Sequence, residues 1–139
     1  MTRLAHIALV VRDYDEALDF YVGRLGFTLV EDKYIPTQDK RWVVIRPPGA
    51  DATATTILLA RAATPGQAAF VGNQAGGRVF LFLATDDFDR DHAAFTVAGV
   101  TWIRPPATVD YGRVAVFADL YGNLWDLVQF APGHPAAIA

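Results

Sequence analysis

The chain contains no cysteine. That absence removes disulfides, thiolate nucleophiles, Cys-ligated zinc and iron–sulfur clusters together. It fits a cytoplasmic protein, where disulfides are rare. Charge of one sign is also lacking. The net charge is −3 and the charges are interspersed without a basic stripe, which argues against nucleic acid or an anionic membrane surface as partner. Long apolar runs are missing too. The early run from Leu4 to Val11 contains His6 and leads directly into Arg12-Asp13. It is too short to span a bilayer and has no small-residue cleavage site. There is no Walker loop, no dinucleotide fingerprint and no Ser–His–Asp spacing, and Gly76-Gly77 are not followed by a helical pattern. Imidazole chemistry rests on three histidines among 139 residues. Of these, His92 reads as a surface residue and His134 as part of an inert, frayed tail.

What is present is enough apolar material for a core, 53% of the chain, and an internal repeat. The run from His6 to Val11 enters Arg12-Asp13-Tyr14-Asp15, and the run from Phe80 to Thr85 enters Asp86-Asp87-Phe88-Asp89. Asp13 aligns with Asp87 and Asp15 with Asp89. Leu25-Gly26-Phe27-Thr28 then matches Ala98-Gly99-Val100-Thr101. A repeat of this kind predicts two copies of one supersecondary unit.

Each copy reads alike. A β-rich run ends at an aspartate that can accept from the free N–H groups of a following helix. Asp13 has Glu16 three residues on, close to a capping box. Ala17, Leu18, Tyr21, Val22 and Leu25 share one helical face, and Phe88, His92, Phe95 and Ala98 form a weaker equivalent. Gly26 and Gly99 stand where a helix needs a left-handed terminator. Strands are expected over Thr28–Glu31, Arg41–Arg46 and Thr55–Ala60 in the first copy. The second copy is expected to have strands over Thr101–Arg104, Arg113–Ala118 and Leu124–Phe130, with a tight turn at Asp119–Asn123 before the last. Residues 61–77 form the connection, with a short helix at Gln67–Phe70.

Two segments carry a family resemblance. The opening His6-Ile-Ala-Leu-Val-Val-Arg-Asp, followed by Ala17, Phe20-Tyr21 and Leu25-Gly26-Phe27, resembles the start of vicinal-oxygen-chelate proteins, the glyoxalase, bleomycin-resistance and extradiol dioxygenase superfamily. The closing Asp119-Leu-Tyr-Gly-Asn-Leu-Trp-Asp126-Leu127 resembles that family's terminal pattern. The resemblance implies an α+β fold of two tandem βαβββ modules, about 3–62 and 77–130, within one domain over 1–139. It also implies a curved mixed sheet with an open cup, and a homodimer.

Members of that family often hold a divalent metal through four strand positions. Carried onto this chain, the positions are His6, Leu58, Phe80 and Asp126. Two are apolar, and two ligands leave an ion mostly hydrated. No cofactor is therefore expected. If a metal binds at all, it binds at His6 and Asp126. His6 is either a strand histidine bonded to neighbouring backbone or a cup-floor group acting as base or anchor. Asp126, in an apolar strand, needs a partner or a ligand. In a shared cup the two would face each other as the catalytic or polar centre. Trp42, Leu58, Phe80 and Phe82 would form apolar walls, with Arg46, Asn73, Gln74 and Tyr111 nearer the mouth. The expected function is small-molecule binding without a tight metal. The alternatives are a metal-dependent lyase, isomerase or dioxygenase, and a remnant whose cup is filled by side chains.

Overall fold

The structure is a computed structural model and describes residues 1–138. The chain divides into two compact units, Met1–Gly72 and Asn73–Ala139.

The first unit runs β1 (His6–Val11), α1 (Tyr14–Leu18), a π-helical turn (Asp19–Arg24), β2 (Thr28–Ile35), β3 (Lys40–Arg46), β4 (Thr56–Arg61) and α2 (Pro65–Ala68). Its sheet order is β1-β4-β3-β2, with β1 parallel to β4 and the other pairs antiparallel. Asp13 caps α1, its carboxylate accepting from the Glu16 N–H at 2.9 Å. Past Leu18 the helix widens, and the Leu25 N–H donates to the Phe20 carbonyl. Such π-helical turns are rare and occur mostly as single-turn insertions within α-helices. This one buries Phe20 and Tyr21, and the Tyr21 ring meets those of Phe20 and Phe27 edge-on. Gly26 then takes φ +79°, where a side chain would strain the backbone. Strand alternation turns Leu9, Val11, Val43, Ile45, Ile57 and Leu59 to the helix face, where all six are buried. Each such side chain contributes about 1.5–3 kcal/mol when removed from water.

The second unit repeats the plan with β5 (Val79–Ala84), α3 (Phe88–Val97), β6 (Thr101–Val109), β7 (Gly112–Ala118) and β8 (Leu124–Phe130). The order is β5-β8-β7-β6, with β5 parallel to β8. Asp87 caps α3 by accepting from the Arg90 N–H, and Gln129 clamps the entry. Its Oε1 accepts from the Phe88 N–H and its Nε2 donates to the Asp86 carbonyl. Phe95, Trp102, Phe117 and Trp125 interlock beneath the helix.

The α+β fold and the two-copy strand plan are those expected, and the mixed sheet takes the form of two four-stranded sheets. Several boundaries differ. β2 continues to Ile35 because Lys33, Tyr34 and Ile35 pair with β3. β6 runs through Pro105-Pro106 to Val109. It is an edge strand, and its register skips between Arg104 and Ala107, so neither proline has to donate into the ladder. α2 begins at Pro65 because Thr64 caps it and proline suits the first helical position. The expectation of a frayed tail is corrected. Ala131 donates to the Tyr111 carbonyl, Ala137 to that of His134, and the His134 ring stacks on Phe130 at 4.5 Å. His92 is likewise no surface residue, because its ring is half-buried and stacks on Trp102 at 4.2 Å.

Candidate functional site

Register fixes which side chains share the sheet face turned away from the helices. In the first unit, His6 pairs with Thr56 and Ala8 with Leu58, and Leu58 pairs with Val44. Trp42 and Arg46 lie two residues either side of Val44, so they share its face. The expected residues His6, Trp42, Arg46 and Leu58 are therefore brought to one surface. Trp42 reaches along it to meet the His6 ring edge-on at 5.9 Å. The His6 Nδ1 lies 2.5 Å from the Thr56 hydroxyl, and that hydroxyl also donates to the Ala5 carbonyl at 3.0 Å. Thr56 is a buried polar residue that the sequence reading did not pick out. Its signal is its place at the start of a strand parallel to β1. Arg46 is half-buried, and its Nε is shut off from solvent with no hydrogen-bond partner among the described residues.

In the second unit one row crosses the sheet from Phe82 through Asp126 and Val116 to Arg104. Asp126 is 6% exposed, and its Oδ1 has no hydrogen-bond partner among the described residues. Burial raises its pKa above the ordinary carboxylate value, and the positive charge of Arg104 opposes the rise. Phe82, beside it on β5, is 61% exposed. Phe80 falls at the irregularity in β5 between Val79 and Leu81, so Phe82, not Phe80, is the aromatic residue paired with Asp126.

The proposed rim residues divide. Tyr111, 43% exposed, occupies the two-residue β6–β7 hairpin with Asp110, its ring 6.2 Å from Phe130. Asn73 is exposed. The Gln74 backbone N–H donates to the Asn123 side chain at 3.1 Å, which ties this segment to the Asp119–Asn123 turn. That turn is structural. The Asp119 carboxylate accepts from the backbone N–H groups of Tyr121 and Asn123 and from the Asn123 amide. Arg41, which by residue type could clamp an anion, is already spent. Its guanidinium holds Asp32 at 2.7 Å and Asp15 at 2.9 Å.

The family's four-ligand metal centre does not fit this donor set. Leu58 and Phe80 offer no lone pairs. Among the described residues, no three His, Asp or Glu side chains gather where an ion could be held.

Taken with the tandem βαβββ units, these faces define a known class. A sequence profile of the glyoxalase/bleomycin resistance protein/dioxygenase superfamily matches residues 3–127, and the chain belongs to that superfamily. An uncharacterized protein of Shewanella frigidimarina (strain NCIMB 400) is 60% identical over 95% of this chain and 96% of its own length. Among solved structures, UcmS2 is 28% identical with TM-score 0.79, covering 92% of this chain and 98% of that one. TnmS3, described as an antibiotic binding protein from Streptomyces sp. CB03234, is 31% identical with TM-score 0.74, covering 94% and 98%. No helix among the described residues is long and apolar enough to cross a membrane.

Proposed function

We propose that this chain binds a small, largely apolar organic molecule of the antibiotic type, on the sheet faces turned away from the helices and without a tightly bound metal. The observation that carries this reading is Asp126, a buried carboxyl group with an unpartnered oxygen beside the exposed ring of Phe82. A buried polar atom left unmet costs about 1–3 kcal/mol. A ligand N–H or O–H reaching Oδ1 removes that cost, so the cost becomes binding energy. In the second unit Phe82 supplies apolar contact beside Asp126, and on the corresponding face of the first unit Trp42 and Leu58 supply apolar contact, His6 a polar group and Arg46 a cation. Asn73, Gln74 and Tyr111 serve as adaptable loop contacts. The likeness to TnmS3 supports a binding role of this type. The superfamily resemblance and the apolar residues exposed on edge strands, Val30 on β2 and Ile103 on β6, support a homodimer, and a sequence without cysteine fits the cytoplasm.

The test is a thermal-shift screen of aromatic and glycopeptide antibiotics alongside Mn²⁺, Fe²⁺, Ni²⁺ and Zn²⁺. A ligand at about 100 times its Kd adds about 2.7 kcal/mol of stability. At least one antibiotic is expected to stabilise the wild type, and the effect is expected to disappear in Asp126→Leu. Strong stabilisation by a single metal, lost in His6→Ala, would refute the metal-free reading. A screen in which no organic ligand acts would refute binding.

A further inference from the structure

We infer that Thr56 locks His6 in the tautomer that carries its proton on Nδ1, so that Nε2 is a dedicated acceptor and the bound molecule must offer it a hydroxyl or N–H. The inference deepens the proposed function and rests on it for the ligand, but not for the tautomer. The argument is one of proton counting. A threonine hydroxyl has one proton and two lone pairs. The Thr56 Oγ1 stands 3.0 Å from the Ala5 carbonyl oxygen, which has no proton to give. The contact is therefore a hydrogen bond only if the hydroxyl donates to it. With its proton committed there, Oγ1 can meet the His6 Nδ1, 2.5 Å away, only as an acceptor. Nδ1 must then carry a hydrogen. In the reverse assignment the hydroxyl would donate to Nδ1 and leave two oxygen atoms facing each other at 3.0 Å with no proton between them.

The lock is well anchored. The Ala5 carbonyl also accepts the Thr56 backbone N–H at 3.0 Å, and β1 and β4 pair in parallel register from this point on. Thr56 is buried, whereas His6 is exposed, so one ring edge is held and the other is presented. Nε2 makes no hydrogen bond to any described residue. In a neutral ring with Nδ1 protonated, Nε2 has a lone pair and nothing to donate. Trp42, edge-on to the same ring, fixes its plane. A carbonyl or ether oxygen arriving at Nε2 would meet lone pair against lone pair, while a phenol, enol, alcohol or amide N–H is matched. Thr56 is thus a positioning residue that sets ligand specificity through His6.

Long-range ¹H–¹⁵N correlation spectra of the ¹⁵N-labelled full chain test this directly. Only three histidines need assignment, and His6→Gln identifies the signal. At a pH where the ring is neutral, His6 is expected to show a pyrrole-type Nδ1 and a pyridine-type Nε2. Thr56→Ser keeps the hydroxyl and should preserve that pattern. Thr56→Val removes it and should move His6 toward the opposite tautomer. A wild-type His6 with the proton on Nε2, or a pattern unchanged in Thr56→Val, overturns the lock. Titration with phenol and with anisole then separates the second half. Phenol should shift Nε2 markedly more than anisole, which cannot donate. A ring with the expected tautomer that responds to neither, or equally to both, leaves the lock standing and overturns donor recognition at this face.

Discussion

The two units share a strand order, a helix position and a set of structural ties, yet place their reactive groups differently. The ties are duplicated in detail. Tyr14 and Phe88 open their helices. The Arg41 guanidinium lies 5.1 Å from the Tyr14 ring and that of Arg113 lies 4.7 Å from Phe88. Arg41 pairs with Asp15, and Arg113 with Asp89. On the opposite face the likeness stops. The row Ala8–Leu58–Val44–Glu31 of the first unit corresponds to Phe82–Asp126–Val116–Arg104 in the second. A carboxylate stands where the first unit has Leu58, an aromatic ring where it has Ala8, and a cation where it has Glu31. The first unit instead places its polar pair, His6 and Thr56, one row away. Helix-face residues differ too, Val43 and Ile45 corresponding to Ala115 and Phe117, but most remain apolar, whereas the other face gains a carboxylate at Asp126 where the first unit has Leu58.

The largest expected effect breaks the comparison at a hairpin. In the first unit the β2–β3 turn accommodates a side chain at positive φ, Asp39. In the second, Gly112 has φ +155°, and an added Cβ would lie 2.9 Å from the Phe130 Cα and well inside contact distance of the Gln129 carbonyl oxygen. Both neighbours are backbone, so neither can swing aside. Gly112→Ala should cost about 2–5 kcal/mol from strain and overpacking together, read as a fall in the chemical-denaturation midpoint with amide exchange accelerated in β7 and β8. Next in size, Asp126→Leu gives the second unit the residue found at its equivalent in the first. It should stabilise the chain by about 1–3 kcal/mol at neutral pH by removing the unmet carboxyl group, while abolishing ligand binding. The pH dependence has a definite sign. The folded pKa of Asp126 is raised by burial, so the folded chain holds the proton more tightly than the unfolded one. The resulting stability is present below the ordinary carboxylate value and is lost as pH rises through the raised one. The difference between Asp126→Leu and wild type should therefore grow across that interval. A wild type at least as stable as the variant at neutral pH would show that Asp126 is already satisfied within the fold.

How much of this was legible in the sequence depends on whether the signal was local. Asp13, Asp87, Gly26 and Gly99 announce helix ends because capping and positive φ act within a few residues, and the repeat itself appears as spaced identities. The extension of β6 through Pro105-Pro106 was not legible, because only the strand order shows that β6 is an edge where proline is tolerated. His6 and Asp126 stood out by residue type against apolar neighbours. Thr56 did not, because its meaning comes from a parallel pairing fifty residues away in sequence. Arg41 shows the complementary limit. Its residue type suits anion binding, but Asp15 and Asp32 occupy its guanidinium, and that is a fact of tertiary structure.

The smallest effect sharpens the comparison at those arginine ties. Arg41 holds two carboxylates, Asp15 and Asp32, while Arg113 holds Asp89 alone. Exposed ion pairs contribute about 0.2–1 kcal/mol each and are weakened by salt. Replacing each arginine by methionine keeps much of the apolar stem over the aromatic ring while removing the charge. Arg41→Met should then cost more than Arg113→Met, with both losses shrinking at high ionic strength. Acid separates them further. The hydrogen bond from Arg41 holds the Asp32 pKa below its ordinary value, so that stability is present above the ordinary value and is lost as pH falls through the depressed one. Arg41→Met should accordingly flatten the acid limb of the stability profile. Equal losses for the two substitutions at low salt would mean that the second carboxylate adds nothing to the first unit.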